Sequence, residues 1–166
     1  MEIANVNFKH VLYATDFSEN AEHACSYAKS IADQYKAEIT LLHVIKEELP
    51  DFMIFDAGMD RTSKEVSNRL IMQKDLFEKQ KAQILQKIEE EYTAKTGINR
   101  IIIEKGNPAK VIIKVIENEN CDLVVMGFKG RSTFEDYLMG DTVRHVISKV
   151  KIPVLVVQTN VKRTNN

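Results

Sequence analysis

The chain has 166 residues, of which 44% are hydrophobic and 28% charged, with a formal net charge of −1. That is the size and balance of one compact globular domain spanning 1–166, and the near-neutral charge, with no basic stripe interleaved with aromatics, excludes the footprint of a nucleic-acid binder. Its apolar runs are strand-length, short of the ~20 residues a membrane span needs, and the opening MEIANVNFKH has no apolar signal core. The expectation is therefore a cytoplasmic protein with neither a membrane nor a nucleic-acid partner.

Residues 8–14 (FKHVLYA) are rich in β-branched and aromatic types and stop at the polar Thr15-Asp16-Phe17-Ser18. They predict a first strand with Asp16 at its carboxyl end. From Ser18, a good N-cap, small or apolar residues recur at Ala21, Ala24, Cys25, Ala28, Ile31, Ala32 and Tyr35, the spacing of one helical face. Residues 38–45 (EITLLHVI) are continuously apolar and β-branched, as in a strand buried on both faces of a parallel sheet. Residues 46–62 hold a charged turn and the apolar patch Phe52, Met53, Ile54, Phe55, either a local cover or a lid or partner surface. Residues 63–95 have a helical pattern with Val66, Leu70, Phe77, Ile84, Ile88 and Tyr92 on one side, and Gly97 supplies the stop.

Residues 99–104 predict a short strand. Asn107 as N-cap and Pro108 at the first helical position then open a helix with Val111, Ile112, Val115 and Ile116 inward. A strand over 122–126, a loop from Gly127 to Gly140, a helix over 142–150 with Val143, Val146, Ile147 and Val150 inward, and a strand over 153–157 complete the pattern. Residues 158–166 read as a flexible, solvated tail. Cys25 and Cys121 make no CxxC pair and the histidines no HxxxH spacing, so packed reduced thiols and no preformed metal site are expected.

Strands alternating with helices predict an α/β fold: a doubly wound, five-stranded parallel sheet of order 3-2-1-4-5, Rossmann-like, with helices on both faces. In that order strands one and four lie side by side where the winding reverses, which is where such sheets bind ligands. Thr15 and Asp16 then face Gly127, with Val44 nearby. Of six glycines, Gly127, Gly130 and Gly140 fall in the one loop before the last helix. Their spacing is neither the P-loop nor the GxGxxG fingerprint. It offers backbone N–H groups and a helix N-terminus to an anion, with Arg131, Ser132 and Thr142 as added donors, or it simply makes turns; spacing alone leaves both open. For Asp16, a ribose acceptor competes with an Asx-turn residue, which spacing alone favours.

The stretches VLYATDFSENAEHACSYAKSIA, LLHVI, GNPAKVIIKVIENENCDLVVMGFKGRS, LMGDT and IPVLVV together resemble the universal stress protein family over nearly the whole chain. The resemblance implies the doubly wound sheet and, from G-x2-G-x9-G, the nucleotide-binding branch, which takes ATP, commonly with a divalent ion. Carried over, it implies backbone contacts from Ala14 and Val44 to adenine, with Met126 lining the base pocket. Asp16 and Gly127 would hold ribose, with Thr15 beside them. Gly130, Arg131, Gly140 and Thr142 would surround phosphates, with Ser132 and Val143 adjoining. Asp141 departs from the pattern, standing where the family has Ser or Thr. As an N-cap it would compete with a γ-phosphate for the helix N–H groups unless magnesium bridges the two.

The functional expectation is a non-enzymatic stress-response module that binds ATP, or ADP or AMP, and forms a homodimer through the apolar edge strand 152–157. Two alternatives remain: a nucleotide-independent dimeric interaction protein, and a slow ATP-hydrolysing or adenylate-type enzyme. The adenylating relatives share a SGGxDS loop, and this chain has Ala14-Thr15-Asp16-Phe17-Ser18 in that place.

Overall fold

A computed structural model describes residues 6–46, 64–93, 97–129 and 138–159. The apolar patch Phe52–Phe55, the side chain of Val66, Gly130, Arg131, Ser132 and residues 160–166 lie outside what it describes.

Strand β1 (His10–Thr15) leads into helix α1 (Glu19–Tyr35), strand β2 (Glu38–Lys46) and helix α2 (Lys64–Ile88), which runs on into a π-helical turn, Glu89–Thr93. Strand β3 (Arg100–Gly106), helix α3 (Pro108–Asn118), strand β4 (Leu123–Gly127), helix α4 (Asp141–Lys149) and strand β5 (Val154–Val157) follow. The sheet has the order β3-β2-β1-β4-β5 and every pairing is parallel, as the alternation of elements predicts.

Side chains alternate across a strand, and here the alternation builds two cores. Val11, Tyr13, Leu41 and Val125 face α1 and the end of α2, where Ala24, Cys25, Ala28, Ile88 and Tyr92 pack on them. Leu12, Ala14, Leu42, Val124 and Met126 face the other way, onto Ile112, Val115 and Ile116 of α3 and Val143 and Val146 of α4. Two helices on each face is the doubly wound arrangement. The alanine stripe lets α1 sit close to the sheet, and the fully buried Tyr13 donates its hydroxyl to the carbonyl of Ala21 at 2.8 Å.

Local capping follows the sequence at two helices. Ser18 Oγ accepts from the Ala21 N–H at the start of α1, and Asn107 Oδ1 accepts from the Lys110 N–H at 3.1 Å, with Pro108 next to it. Four expectations are corrected. Gly140, not Asp141, is the N-cap of α4, which begins one residue earlier than the pattern suggests. Leu70 is 54% exposed and Ile147 44% exposed, where both were expected to face inward. A helix of 25 residues is about 37 Å long at 1.5 Å per residue, more than the sheet can cover, so α2 packs through its carboxyl-terminal half. In α4, Val143 and Val146 are the buried residues, and Ile147 lies on the flank. At the other end, Thr159 is no loose tail: its N–H and Oγ1 both donate to Oδ1 of the buried Asn20, at 2.9 and 3.2 Å.

Candidate functional site

The ends of β1 and β4 lie side by side at the reversal of winding, paired up to Ala14 and Met126. After β1 the chain makes two successive side-chain turns. The buried Thr15 accepts through Oγ1 from the Phe17 N–H at 3.0 Å, and Asp16 accepts through Oδ1 from the Ser18 N–H at 3.1 Å. Both are the short-range bonds that let Thr and Asp mimic a backbone turn. Between them Phe17 has φ of 58°, the left-handed region a bulky residue rarely enters.

His43, on the neighbouring strand, meets this loop twice. Its Nδ1 lies 2.8 Å from the carbonyl oxygen of Thr15, and its ring stacks on Phe17 with centroids 4.6 Å apart and planes 28° from parallel. The Lys87 ammonium of α2 lies 4.9 Å from the centroid of Phe17, and Tyr92 packs on the same ring at 5.9 Å.

On the β4 side, Phe128 donates its N–H to Val157 at 2.7 Å, and Gly140 donates to the carbonyl of Phe128 at 3.1 Å. These bonds bring the chain back onto the end of β4 and set the start of α4 beside it. Ser18 Oγ also donates to the Lys129 carbonyl at 3.4 Å, joining the β1 and β4 loops. Gly127 has no room for a side chain, because a β-carbon would stand 2.7 Å from the Ala21 nitrogen. At the start of α4 no side chain among the described residues caps the helix, and the Asp141 carboxylate, 93% exposed, pairs with Arg144 one turn on.

A cleft of about 510 Å³ opens between these elements. Strand ends supply an apolar wall of Ala14, Leu42, Val44 and Met126, and α3 supplies Pro108 and Ile112. Thr15, Asp16 and Gly127 form one rim, and Gly140, Asp141, Thr142 and Val143 another. All the expected site residues within the described chain line this cleft together. Gly130, Arg131 and Ser132 lie outside the described residues. The cations Lys46, Lys129 and Arg144 also line it, as do Leu138 and Met139, and the motif reasoning did not name these. A signal existed for Lys46, two residues beyond Val44 and so on the same face of its strand.

Chemically, among the described residues the cleft joins an apolar slot, the carboxylates of Asp16 and Asp141 on opposite rims, a helix N-terminus without a side-chain cap, and nearby cations. That combination suits a planar ring carrying hydroxyls and an anionic group. The thiols are elsewhere: burial pushes Cys25 up, and burial followed by the Glu119 and Asp122 carboxylates pushes Cys121 up to about 11. Among the described residues no three His, Cys, Asp or Glu side chains gather as a metal site, and no helix is long and apolar enough to cross a membrane.

The model of the universal stress protein family matches residues 7–158. Universal stress protein MJ0577 of Methanocaldococcus jannaschii is 32% identical over 160 residues, covering 93% of this chain and 97% of that protein. The solved structure of MJ0577 superposes with a TM-score of 0.70 over 95% of this chain and 100% of that one. Universal stress protein UspA from Lactobacillus plantarum shares the fold at 21% identity, with a TM-score of 0.64 over 92% and 99% of the two chains. A universal stress protein solved in complex with cAMP shares it at 20% identity, with a TM-score of 0.57 over 93% and 100%. By the match along its length and by its fold, the chain belongs to the universal stress protein family.

Proposed function

We propose that the cleft binds an adenine nucleotide, ATP foremost, and that the protein is a single-domain, non-enzymatic stress-response module acting through occupancy and self-association. The observation that carries this reading is the α4 N-terminus, which has no side-chain cap among the described residues and opens onto the same cleft as the Asp16 carboxylate, with an apolar slot between them. Adenine fits the slot of Ala14, Val44, Met126 and Ile112, where the ends of β1 and β2 offer backbone groups to its edge. Ribose hydroxyls donate to Asp16. Phosphates meet the N–H groups of Asp141, Thr142 and Val143, whose positive helix end attracts an anion, and Lys129 and Arg144 add positive charge.

The cAMP complex of another universal stress protein is of the same ligand class. Magnesium fits as part of the nucleotide: phosphate oxygens would supply most of its ligands, with Asp141 a nearby carboxylate at the phosphate end. The module is further read as a cytoplasmic homodimer joined at β5, whose outer edge ends the sheet. Calorimetric titration with ATP, ADP and AMP tests the nucleotide reading. A Kd below millimolar for at least one is expected, and weaker binding of all three overturns it.

A further inference from the structure

We propose that His43 is a positioning residue for the nucleotide site, holding the Thr15–Phe17 turn so that the Asp16 carboxylate is aimed at the ribose. The inference rests on the nucleotide reading above and adds to it how the ribose is recognised. His43 does not itself line the cleft; it acts through Thr15 and Phe17.

Three observations converge on it. A carbonyl oxygen can only accept, so the 2.8 Å contact to Thr15 requires the proton on Nδ1 and fixes both tautomer and ring plane. With the plane fixed, the ring lies flat against Phe17 at 4.6 Å. Phe17 is the residue that bears the left-handed backbone, φ 58°, and such a conformation persists only where its surroundings over-determine it. Here the surroundings are His43 on one side, with the Lys87 ammonium and the Tyr92 ring also against Phe17.

Asp16 sits between the two residues that His43 grips, Thr15 by its carbonyl and Phe17 by its ring. Its own Oδ1 bond to the Ser18 N–H closes the turn. Removing His43 releases both neighbours at once, and the turn relaxes toward ordinary backbone angles. The carboxylate then leaves the rim while the apolar slot and the α4 N-terminus stay in place.

The slot and the phosphate site make no use of the ribose hydroxyls, so the ratio of affinities reads the ribose contacts, and Asp16→Asn shows how much of it belongs to Asp16. Titrate ATP and 2′,3′-dideoxy-ATP into wild type, Asp16→Asn, His43→Ala, His43→Asn and Phe17→Leu. Wild type is expected to prefer ATP by about tenfold or more, the worth of hydrogen bonds to a charged acceptor. Asp16→Asn and His43→Ala should lose most of that preference with dideoxy-ATP affinity unchanged. His43→Asn, whose amide can donate to Thr15 in place of Nδ1, should restore much of it. If His43→Ala does not fold, Phe17→Leu, which removes the stacked ring, takes its place and should lower the preference.

A full preference in His43→Ala, or in Phe17→Leu where that variant decides, overturns the inference. An equal loss for both nucleotides also overturns it, because the histidine would then be a general stabiliser. Wild type that binds ATP without preferring ribose overturns it while leaving the nucleotide reading standing. Wild type that binds neither nucleotide overturns both.

Discussion

A β-carbon on Gly127 would stand 2.7 Å from the backbone nitrogen of Ala21 and 2.8 Å from the carbonyl carbon of Asn20. Backbone atoms at the start of a helix cannot swing aside as a flexible side-chain tip can. Gly127→Ala should therefore push α1 off the end of β4 and destabilise the protein by about 1–3 kcal/mol, the usual cost of overpacking. Thermal unfolding should record this as a Tm lowered by several degrees, at ~2–4 °C per kcal/mol for a chain of this size. An unchanged Tm would mean that the two elements pack less closely than described.

Asp16 has two tasks that substitution can separate. Asp16→Asn keeps an oxygen for the Ser18 N–H and loses the charge; Asp16→Ala loses both. Nucleotide affinity should fall about tenfold to a hundredfold in each, corresponding to ~1.5–3 kcal/mol for a charged acceptor. Stability should fall by about 1 kcal/mol in Asp16→Ala alone. Calorimetry and denaturant melts on the two variants check both halves.

Asp141 stands at the first helical position, exposed and paired with Arg144, rather than capping the α4 amides. An exposed, neutralised carboxylate perturbs a bound anion weakly. In chelator, Asp141→Ser should change ATP affinity by no more than about fivefold. A hundredfold gain would show that the carboxylate turns inward and competes with phosphate.

The carbonyls of Pro153 and Val157 accept from Val124 of β4 and from Phe128 just after it. By the alternation of a strand, the backbone groups of Val154 and Val156 point to the outer edge of the sheet. The side chain of Val156 packs on the core, so a charge there would harm the fold. Val156→Pro instead removes an edge N–H that β4 does not use. Light scattering at tens of micromolar, a concentration suited to interfaces of ordinary strength, should find a dimer for wild type and a monomer for the variant. A monomeric wild type refutes dimerisation at β5.

Cys121 sets an alkaline limit on stability. Its thiol is raised from an ordinary 9.0 to about 11, chiefly by burial. Between those values the unfolded chain has lost a proton that the native chain keeps, so stability falls as pH rises through the window. The slope contributed by this group approaches about 1.4 kcal/mol per pH unit. Cys121→Ala should flatten the decline in denaturant midpoint between pH 9.0 and 11; an unchanged slope would assign it to other groups.

Strand order, two helix caps and the meeting of Thr15, Asp16 and Gly127 were legible because each rests on a strong local signal or on topology alone. Ser18 and Asn107 precede apolar stripes, and five parallel strands leave few ways to wind. Gly140 and Asp141 are adjacent and both acceptable as N-caps, and sequence cannot decide between them by one residue. Leu70 has the right period for a buried face, but periodicity does not say where the sheet beneath a long helix ends. Phe17 was hidden for another reason: nothing in its type announces a positive φ, which is imposed by Thr15, Asp16 and His43 together.

The side-chain Oδ1 of the buried Asn20 accepts from the N–H and hydroxyl of Thr159 across 139 positions of chain. The first turn of α1, capped by Ser18, is thus fastened by a residue synthesised 139 positions later. On the ribosome, β1 and α1 emerge early yet must wait for both β4 and the segment after β5 before this corner closes. A nascent chain stalled before Val154 should leave the α1 amides near Asn20 open to hydrogen exchange, whereas a chain extended past Thr159 should protect them. On the proposed nucleotide reading, ligand capture would then require the chain as far as Thr159.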